Sequence, residues 1–415
     1  MVVRRRLNSL IEFFGLRRSI GGLLGMVILV GMGEHMAEQF LPLYLMALGG
    51  GAISIGFLNG MDNLLGSLYS FPGGYLADRL GTKRALLIFN LLSMVGFTIV
   101  IIFPSWYAVL IGAAFFLSWS AISLPATMGL ISKVLPPGKR TMGVSMHSLM
   151  RRVPMALGPI IGGVFITAWG VEQGVRLAFV AALGMAVVAA SLQQVLIDDD
   201  RRGHGTGGSP QGEHNPLRLW RKMGPDLRQL LFSDILIRFC EQIPYAFVVI
   251  WAVGSAQQPG PVSAVEFGVL RAIEMATAVL VYIPVAYLAD RGAKKPYVVL
   301  TFVFFTLFPI VLLFCRSFEA LMLAFILRGL KEFGEPTRKA LILDLSPDGR
   351  KAGMFGLYYL VRDVIVSVAA FGGAFLWQIG PTVNFVTAAA FGAIGTIWFL
   401  LRGRDLSTVQ RAQPG

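Results

Sequence analysis

Apolar residues fall in blocks of roughly 20 along this chain, each long enough for a helix that crosses a bilayer, with short polar or glycine-bearing breaks between them. The blocks lie at 20–48, 53–77, 85–103, 107–134, 142–169, 177–197, 230–253, 265–289, 297–315, 320–345, 353–377 and 385–401. This pattern predicts about twelve transmembrane helices. One long polar stretch, 198–224, splits the series six and six. Its charges and glycines predict a flexible linker. The glycines beside His204 lack the G-K-[ST] and the strand–helix framing of a phosphate loop. The expected fold is therefore all-α and integral to the membrane, with a half over 1–197, a cytoplasmic linker over 198–229 and a second half over 230–415.

Composition agrees with the block pattern. Of 415 residues, 55% are hydrophobic and only 14% charged, with a mean hydropathy of +0.68. Soluble domains carry about 25% charged residues. The net charge of +13 would suit a nucleic-acid partner, but its placement does not. Arg4, Arg5, Arg6, Arg17 and Arg18 precede the first block, Lys139 and Arg140 precede the fifth, and Arg201, Arg202, Arg218, Arg221 and Lys222 precede the seventh. Arg350 and Lys351 follow the tenth, and Arg402 and Arg404 follow the last. The alternate loops 47–54 and 254–263 hold no Lys or Arg, and elsewhere on that side Arg176 and Arg316 stand out. The positive-inside rule then puts both termini and the linker in the cytoplasm, with no nucleic-acid partner. Residues 3–18 read as a basic amphipathic helix on the cytoplasmic interface, or as a plain stop-transfer charge cluster. Cys240 and Cys315 lie inside apolar blocks, so neither a disulfide framework nor a metal site is implied. The first block is too long for a cleavable signal and is interrupted by Glu34, His35 and Glu38. The absence of an N-x-[ST] sequon fits a bacterial inner membrane.

Between the second and third blocks stands Gly74-Tyr-Leu-Ala-Asp-Arg-Leu-Gly-Thr-Lys-Arg, and between the eighth and ninth Ala286-Tyr-Leu-Ala-Asp-Arg-Gly-Ala-Lys-Lys295. The first resembles the signature loop of the major facilitator superfamily, departing from it at Thr82. The halves also repeat. A shift of 212 carries Gly56, Asp62, Pro72, Asp78 and Arg79 onto Gly268, Glu274, Pro284, Asp290 and Arg291. Likewise Glu38-Gln39 with Pro42 is echoed by Glu241-Gln242 with Pro244. The resemblance implies two pseudo-symmetric six-helix halves with the substrate site between them. It also implies a conformational gate at Gly74, Asp78, Arg79, Gly81, Lys83 and Arg84, with Asp290 and Arg291 as the echo. In relatives the loop Asp meets a partner on the eleventh helix, and Arg362 lies too deep for that role to be assigned to it.

Charge inside the blocks costs about 2.5–3.5 kcal/mol per ionised group, so each such group must meet a partner or water. The third, sixth, ninth and twelfth blocks hold no internal charge, as expected for the four helices that face lipid in the family's fold. The others supply the expected substrate and proton-coupling positions: Glu34, Glu38, Asp62, Arg151, Arg152, Arg238, Glu241, Arg271, Glu274, Arg328 and Arg362. Glu34 and Glu38 share a helix face beside His35, a pairing suited either to picking up and releasing protons or to fixed packing. Asp234, Arg238 and Glu241 form one stripe, and Arg271 lies three before Glu274, so local ion pairs are the plain alternative. The tenth block is the most polar, with Arg328, Lys331, Glu332 and Glu335 at helical spacing ahead of Arg338 and Lys339. Buried arginines suit an anionic substrate, and neutralisation by the nearby carboxylates competes with that reading. Gly158-Pro-Ile-Ile-Gly-Gly163 resembles the end of the antiporter motif of drug-exporting branches, but Ser145 and Pro154 replace its upstream glycines and Ser118-Trp119-Ser120 replaces the arginine motif. Close helix packing explains the same glycines.

The expected function is secondary active transport of a small organic solute by a rocker switch, coupled to protons and leaning to antiport. Proton-linked uptake of an organic anion is the alternative, and a non-transporting membrane sensor or scaffold is the alternative of another class. No enzyme signature, cofactor or metal site is expected. The expected partners are the solute, protons and the lipid bilayer, with the chain acting as a monomer.

Overall fold

Prolines, glycines and buried polar groups decide where the helices of this protein stop. A computed structural model describes residues 18–117, 140–196, 216–254, 259–289, 294–347 and 351–405, and within them leaves out the side chains of 18–21, 23, 70–78, 82, 140–149, 216–218, 282–283, 285–289 and 351–352. In chain order the helices are α1 (Arg18–Glu38), α2 (Leu41–Ala47), α3 (Ala52–Leu80), α4 (Thr82–Ile102), α5 (Trp106–Phe116) and α6 (Arg140–Leu196). They continue with α7 (Pro216–Lys222), α8 (Pro225–Tyr245), α9 (Val248–Val253), α10 (Ala264–Ala289), α11 (Lys295–Phe314), α12 (Phe318–Leu330), α13 (Glu335–Asp344), α14 (Lys351–Ile379) and α15 (Pro381–Arg402). Among the described residues the one strand-like contact is an isolated bridge between Gly254 and Pro259. Five helical stretches there are long and apolar enough to cross a membrane: Lys83–Ile102, Met150–Leu196, Lys295–Phe314, Gly353–Ile379 and Pro381–Arg402. The third of these carries Phe314 at 79% exposed and the last carries Leu401 at 74%, side chains that suit a lipid solvent better than water.

Among the described residues, three of the blocks read as single spans are broken. The block 20–48 turns at Gln39 and Phe40, where Pro42 opens α2. Its repeat mate 230–253 turns at Ala246 and Phe247, just after Pro244. The block 320–345 passes through a 3₁₀ turn, Lys331–Gly334, between α12 and α13. The two limbs of α6 meet at Gly170, whose φ of 78° only glycine adopts without strain. Within the stretch read as linker, residues 216–222 form α7, whose Leu219 is buried, with Met223 just after the helix, in an apolar core alongside Leu230, Phe302, Tyr358 and Phe399.

The chain forms two compact units. The first contains residues 1–50, 68–205 and 263–269. Here α1 lies against α6 through glycines: a Cβ at Gly158 would meet His35, and one at Gly162 would meet the backbone carbonyl of Met36. Gly96 on α4 and Gly112 on α5 oppose each other's backbones in the same way. Phe97, Phe116 and Phe179 pack with ring centroids 5.2–5.8 Å apart, and Asn90 donates to Gln193 at 2.7 Å in a buried amide pair.

The second unit contains residues 51–67, 206–262 and 270–415. Gly373 on α14 lies against the Ile243 carbonyl of α8, and Gly392 on α15 against Cys240 and Thr306. The start of α3 belongs to this unit: Gly56 faces Ala374, Gly60 faces the Phe371 ring, and Asn59 donates to the Gln242 carbonyl at 3.1 Å.

Candidate functional site

The polar stripe of the second unit begins where helix geometry fails. Gly334 closes the 3₁₀ turn by donating its backbone N–H to the Thr301 hydroxyl at 2.6 Å, and a Cβ there would strike Tyr297 and Thr301. The interruption carries Lys331 and Glu332, flanked by Arg328 one turn before and Glu335 and Arg338 after. A 3₁₀ stretch inside a longer helix often marks a functional hinge.

Within this unit Glu274, Glu241 and Asp234 are each clasped by more than one cation. Glu274 on α10, 1% exposed, bonds to Arg271 three residues earlier on its own helix, and Arg328 Nε reaches it from α12 at 3.4 Å. Glu241 on α8 takes Arg238 at 2.5 Å, again three residues earlier on the same helix, and Lys331 from the 3₁₀ turn. Asp234, 0% exposed, is bridged by Arg338, by Arg362 at 3.4 Å and by the Tyr358 hydroxyl, which donates at 3.0 Å. Glu335 joins the groups, accepting from Arg338 at 2.6 Å and lying 3.3 Å from Lys339 and 3.8 Å from Arg238. Such doubling offsets the desolvation of both signs, which costs several kcal/mol per unpaired ion.

Aromatic rings complete the setting. The Arg328 guanidinium stands 5.1 Å from the Phe308 ring centre, 5.5 Å from Tyr245 and 5.8 Å from Phe325. Lys331 lies 5.3 Å over Phe305, and Arg362 4.2 Å over Tyr359. Glu241, Tyr245, Phe305, Phe308, Arg328 and Lys331 line one pocket of this unit.

In the first unit, Glu34 is 5% exposed on α1, and His35 Nδ1 makes a 2.8 Å ion contact with Glu38. This matches Arg238–Glu241: each of these glutamates holds a basic side chain three residues before it. Arg151 and Arg152 are half-buried on α6. Asp62 is half-buried on the part of α3 that belongs to the second unit.

Several sequence readings change. Arg362 is engaged by Asp234 and by Asp363 at 2.7 Å, which gives it a place in the buried ion cluster. Gly158 and Gly162 serve the close approach of α6 to α1, and Gly163 lies against the Ala264 backbone, so these glycines act in packing. Arg79 and Arg84 are exposed, while Gly81, with φ 85°, lets the chain turn between α3 and α4. The side chain of Asp78, the surroundings of Gly74, and all of Asp290 and Arg291 lie outside the described residues. Asp234, Lys331, Glu335 and Arg338 showed as helical-spaced charge without being assigned to the site. Tyr358 gave no signal beyond standing four residues before Arg362.

The model of the Major Facilitator Superfamily matches residues 23–258 and again 230–415. An uncharacterized MFS-type transporter of Methanocaldococcus jannaschii is 20% identical over 375 residues, covering 89% of this chain and 91% of that protein. The quinolone resistance protein NorA of Staphylococcus aureus is 25% identical over 181 residues, 44% of this chain and 45% of that one. A crystal structure of the peptide transporter POT in complex with sulfate shares the fold, with a TM-score of 0.75 at 15% identity over 95% of both chains.

Proposed function

The chain belongs to the Major Facilitator Superfamily, a family of membrane transporters and not of enzymes, and from that premise we propose a proton-coupled secondary carrier that moves a small organic solute by alternating access. The observation that carries this reading is the shared clasping of Glu241 and Glu274, each held by two cations from different elements. A carrier must rearrange buried charge in every cycle, and a carboxylate with two partners can change one without being stranded. A silent sensor or scaffold would gain stability from apolar residues at the same positions. The His35–Glu38 contact and the buried Glu34 offer carboxyl groups for the proton.

In this reading twelve helices cross the membrane as two halves, 1–197 and 230–415, with both termini in the cytoplasm of a bacterial cell, and the chain works as a monomer. Export is favoured over uptake by the likeness to the quinolone resistance protein. The glycines of α6 lend export no support, because packing already accounts for them.

Reconstituted protein tests the reading. An imposed pH gradient drives accumulation of the solute in proteoliposomes, and collapsing the gradient leaves exchange but no accumulation. Accumulation that ignores the gradient would remove proton coupling.

A further inference from the structure

We infer that the second unit binds one anionic phospholipid where α7, the start of α8 and the end of α15 meet. Its phosphate is held by Arg228 and Arg402, and its acyl chains lie against Phe232 and Ile397. The site is separate from solute transport and requires only that the helices sit in a bilayer.

A short series of contacts brings these residues together. The Trp398 indole N–H donates to the Gln229 side chain at 2.7 Å, and the Trp398 and Phe232 rings pack with centroids 4.9 Å apart. Arg404 Nε lies 3.9 Å from Asp226, so the first turns of α8 stand beside the last turn of α15. Arg402 follows Trp398 by one turn, with its guanidinium 5.8 Å from that ring. Arg228 precedes Phe232 by one turn, with its guanidinium 5.6 Å from the Trp220 ring of α7, and it donates to the Trp220 carbonyl at 3.1 Å. Leu219 and Met223 fasten α7 to the core, while Trp220, Arg221 and Lys222 are exposed.

The kinds of side chain on this surface specify the ligand. Phe232, Ile397, Leu400 and Leu401 are exposed, an apolar band that lipid tails satisfy and water does not. Trp220 and Trp398 stand at its edge, and beyond them Arg221, Lys222, Arg228, Arg402 and Arg404 are exposed. Apolar band, tryptophans and basic rim follow the order of groups met on leaving a bilayer. Two acidic side chains share the rim. Asp226 faces Arg404, and Asp405 is buried and accepts from the backbone N–H groups of Lys294 and Lys295. Among the described residues, neither Arg228 nor Arg402 meets a carboxylate. A guanidinium resting on a ring keeps most of its five donors for a phosphate, which it binds bidentately. A zwitterionic headgroup brings an ammonium into a rim already rich in cations, and a free phosphate forgoes the apolar band. An anionic phospholipid uses both features.

The other end of the unit supplies the comparison. α11 runs from Lys295, bonded to the Leu400 carbonyl, to Phe314, a span of about 30 Å. Just past that far end, Arg316 stands 4.4 Å over Trp251, an arginine–tryptophan pair remote from the basic rim.

The test titrates purified full-length protein in detergent with dioleoyl phosphatidylglycerol and with zwitterionic dioleoyl phosphatidylcholine. Glycerol 3-phosphate serves as the headgroup anion without chains. Native mass spectrometry counts bound lipid, and the melting midpoint is followed alongside. Phosphatidylglycerol should bind and raise the midpoint at concentrations where phosphatidylcholine does neither, and glycerol 3-phosphate should not displace it. Arg228→Gln and Arg402→Gln should each weaken phosphatidylglycerol binding about five-fold, the share of one basic side chain at an anionic surface, and together roughly twenty-fold. Arg228→Lys and Arg402→Lys should keep most of the affinity, and Arg316→Gln should keep all of it. If the double variant fails to fold, the single variants decide. Equal binding of the two lipids, displacement by glycerol 3-phosphate, or an affinity that Arg228→Gln and Arg402→Gln leave unmoved overturns the site. So does an equal loss in Arg316→Gln, which would make the effect one of overall charge.

Discussion

Lys83 and Lys295 make the same hydrogen bond in the two repeats. The Lys83 ammonium donates at 2.8 Å to the Gln194 carbonyl and the Lys295 ammonium at 2.8 Å to the Leu400 carbonyl, in each case two residues before the helix that carries the acceptor ends. The first lysine stands at the start of α4 and reaches the end of α6; the second stands at the start of α11 and reaches the end of α15. A helix C-terminus exposes carbonyls without intrahelical partners and carries partial negative charge, so a lysine there satisfies an acceptor and the dipole together. Each contact also has company. Gln193 donates to the Lys83 carbonyl at 2.7 Å, and Asp405 accepts from the backbone N–H groups of Lys294 and, at 3.0 Å, Lys295. The basic loop residue thus has a bracing role inside its own unit, in addition to any role in the gate.

Lys83→Met and Lys295→Met are expected to cost about 0.3–1 kcal/mol each, the usual worth of a cation at a helix C-terminus. Thermal unfolding in detergent should show a small drop in midpoint for each, near-additive in the double variant because the contacts share no residue. Lys→Arg at either site should recover most of it. A transport defect in Lys83→Met with no change in midpoint would instead assign this lysine to the gate.

Asp234 supports a larger effect. It is fully buried and receives Arg338, Arg362 and Tyr358. Asp234→Asn takes one counter-charge from each of Arg338 and Arg362, which keep Glu335 and Asp363, and weakens the Tyr358 bond as well, so its cost should approach that of a buried pair broken from one side, about 3–5 kcal/mol. Tyr358→Phe removes one hydrogen bond to a charged group, about 1.5–3 kcal/mol. Detergent-solubilised yield and melting midpoint should therefore fall in the order wild type, Tyr358→Phe, Asp234→Asn. Equal midpoints for Asp234→Asn and wild type would mean that the cluster is not a structural anchor.

Gly162→Ala separates packing from motif. A Cβ at this position meets the Met36 backbone carbonyl and the Phe40 ring, so the variant must push α1 away from α6, a strain typically worth about 1–3 kcal/mol. Gly184→Ala, with open space around it, is the control and should be neutral or slightly stabilising. Both variants should keep their response to a pH gradient per folded molecule. Loss of coupling in a Gly162→Ala protein that melts like wild type would restore the antiporter reading of these glycines.

The helices were legible because bilayer length, charge poverty and the repeat each act through sequence-local physics. Positions 62 and 274 could be matched by shift alone. The helix breaks were only half legible: Pro42 and Pro244 announce theirs, whereas the 3₁₀ turn at Lys331–Gly334 depends on Thr301, a residue of another helix, and no periodicity within the tenth block encodes it. The ion pairs divide in the same way. Arg238–Glu241 and Arg271–Glu274 follow from a spacing of three, but Lys331–Glu241, Arg328–Glu274 and Arg338–Asp234 join residues 54–104 positions apart and needed the packed helices. The charged positions are thus legible one by one, and the doubling of their partners is not.

That doubling also bears on coupling, where Glu38 and Glu241 make the sharpest comparison. They occupy equivalent places in the repeat, and each holds a partner three residues earlier. Their partners differ in kind. Arg238 remains charged across the accessible pH range, and Glu241 has Lys331 as well. His35 is an ionisable imidazole and not a permanent cation, so the His35–Glu38 pair can exist with or without a mobile proton between its members. Proton coupling is therefore expected to depend on Glu38 and much less on Glu241. In proteoliposomes, Glu38→Gln should abolish accumulation driven by an imposed pH gradient while counterflow without a gradient stays within a few-fold of wild type. His35→Gln should shift the pH dependence of accumulation, and Glu34→Gln, next to the pair on the same helix, should be milder. Glu241→Gln should impair counterflow and accumulation together, because it disturbs a cation that lines the pocket. If Glu38→Gln still accumulates solute in full response to the gradient, the proton is carried elsewhere, and Asp62 and Glu274 become the positions to test.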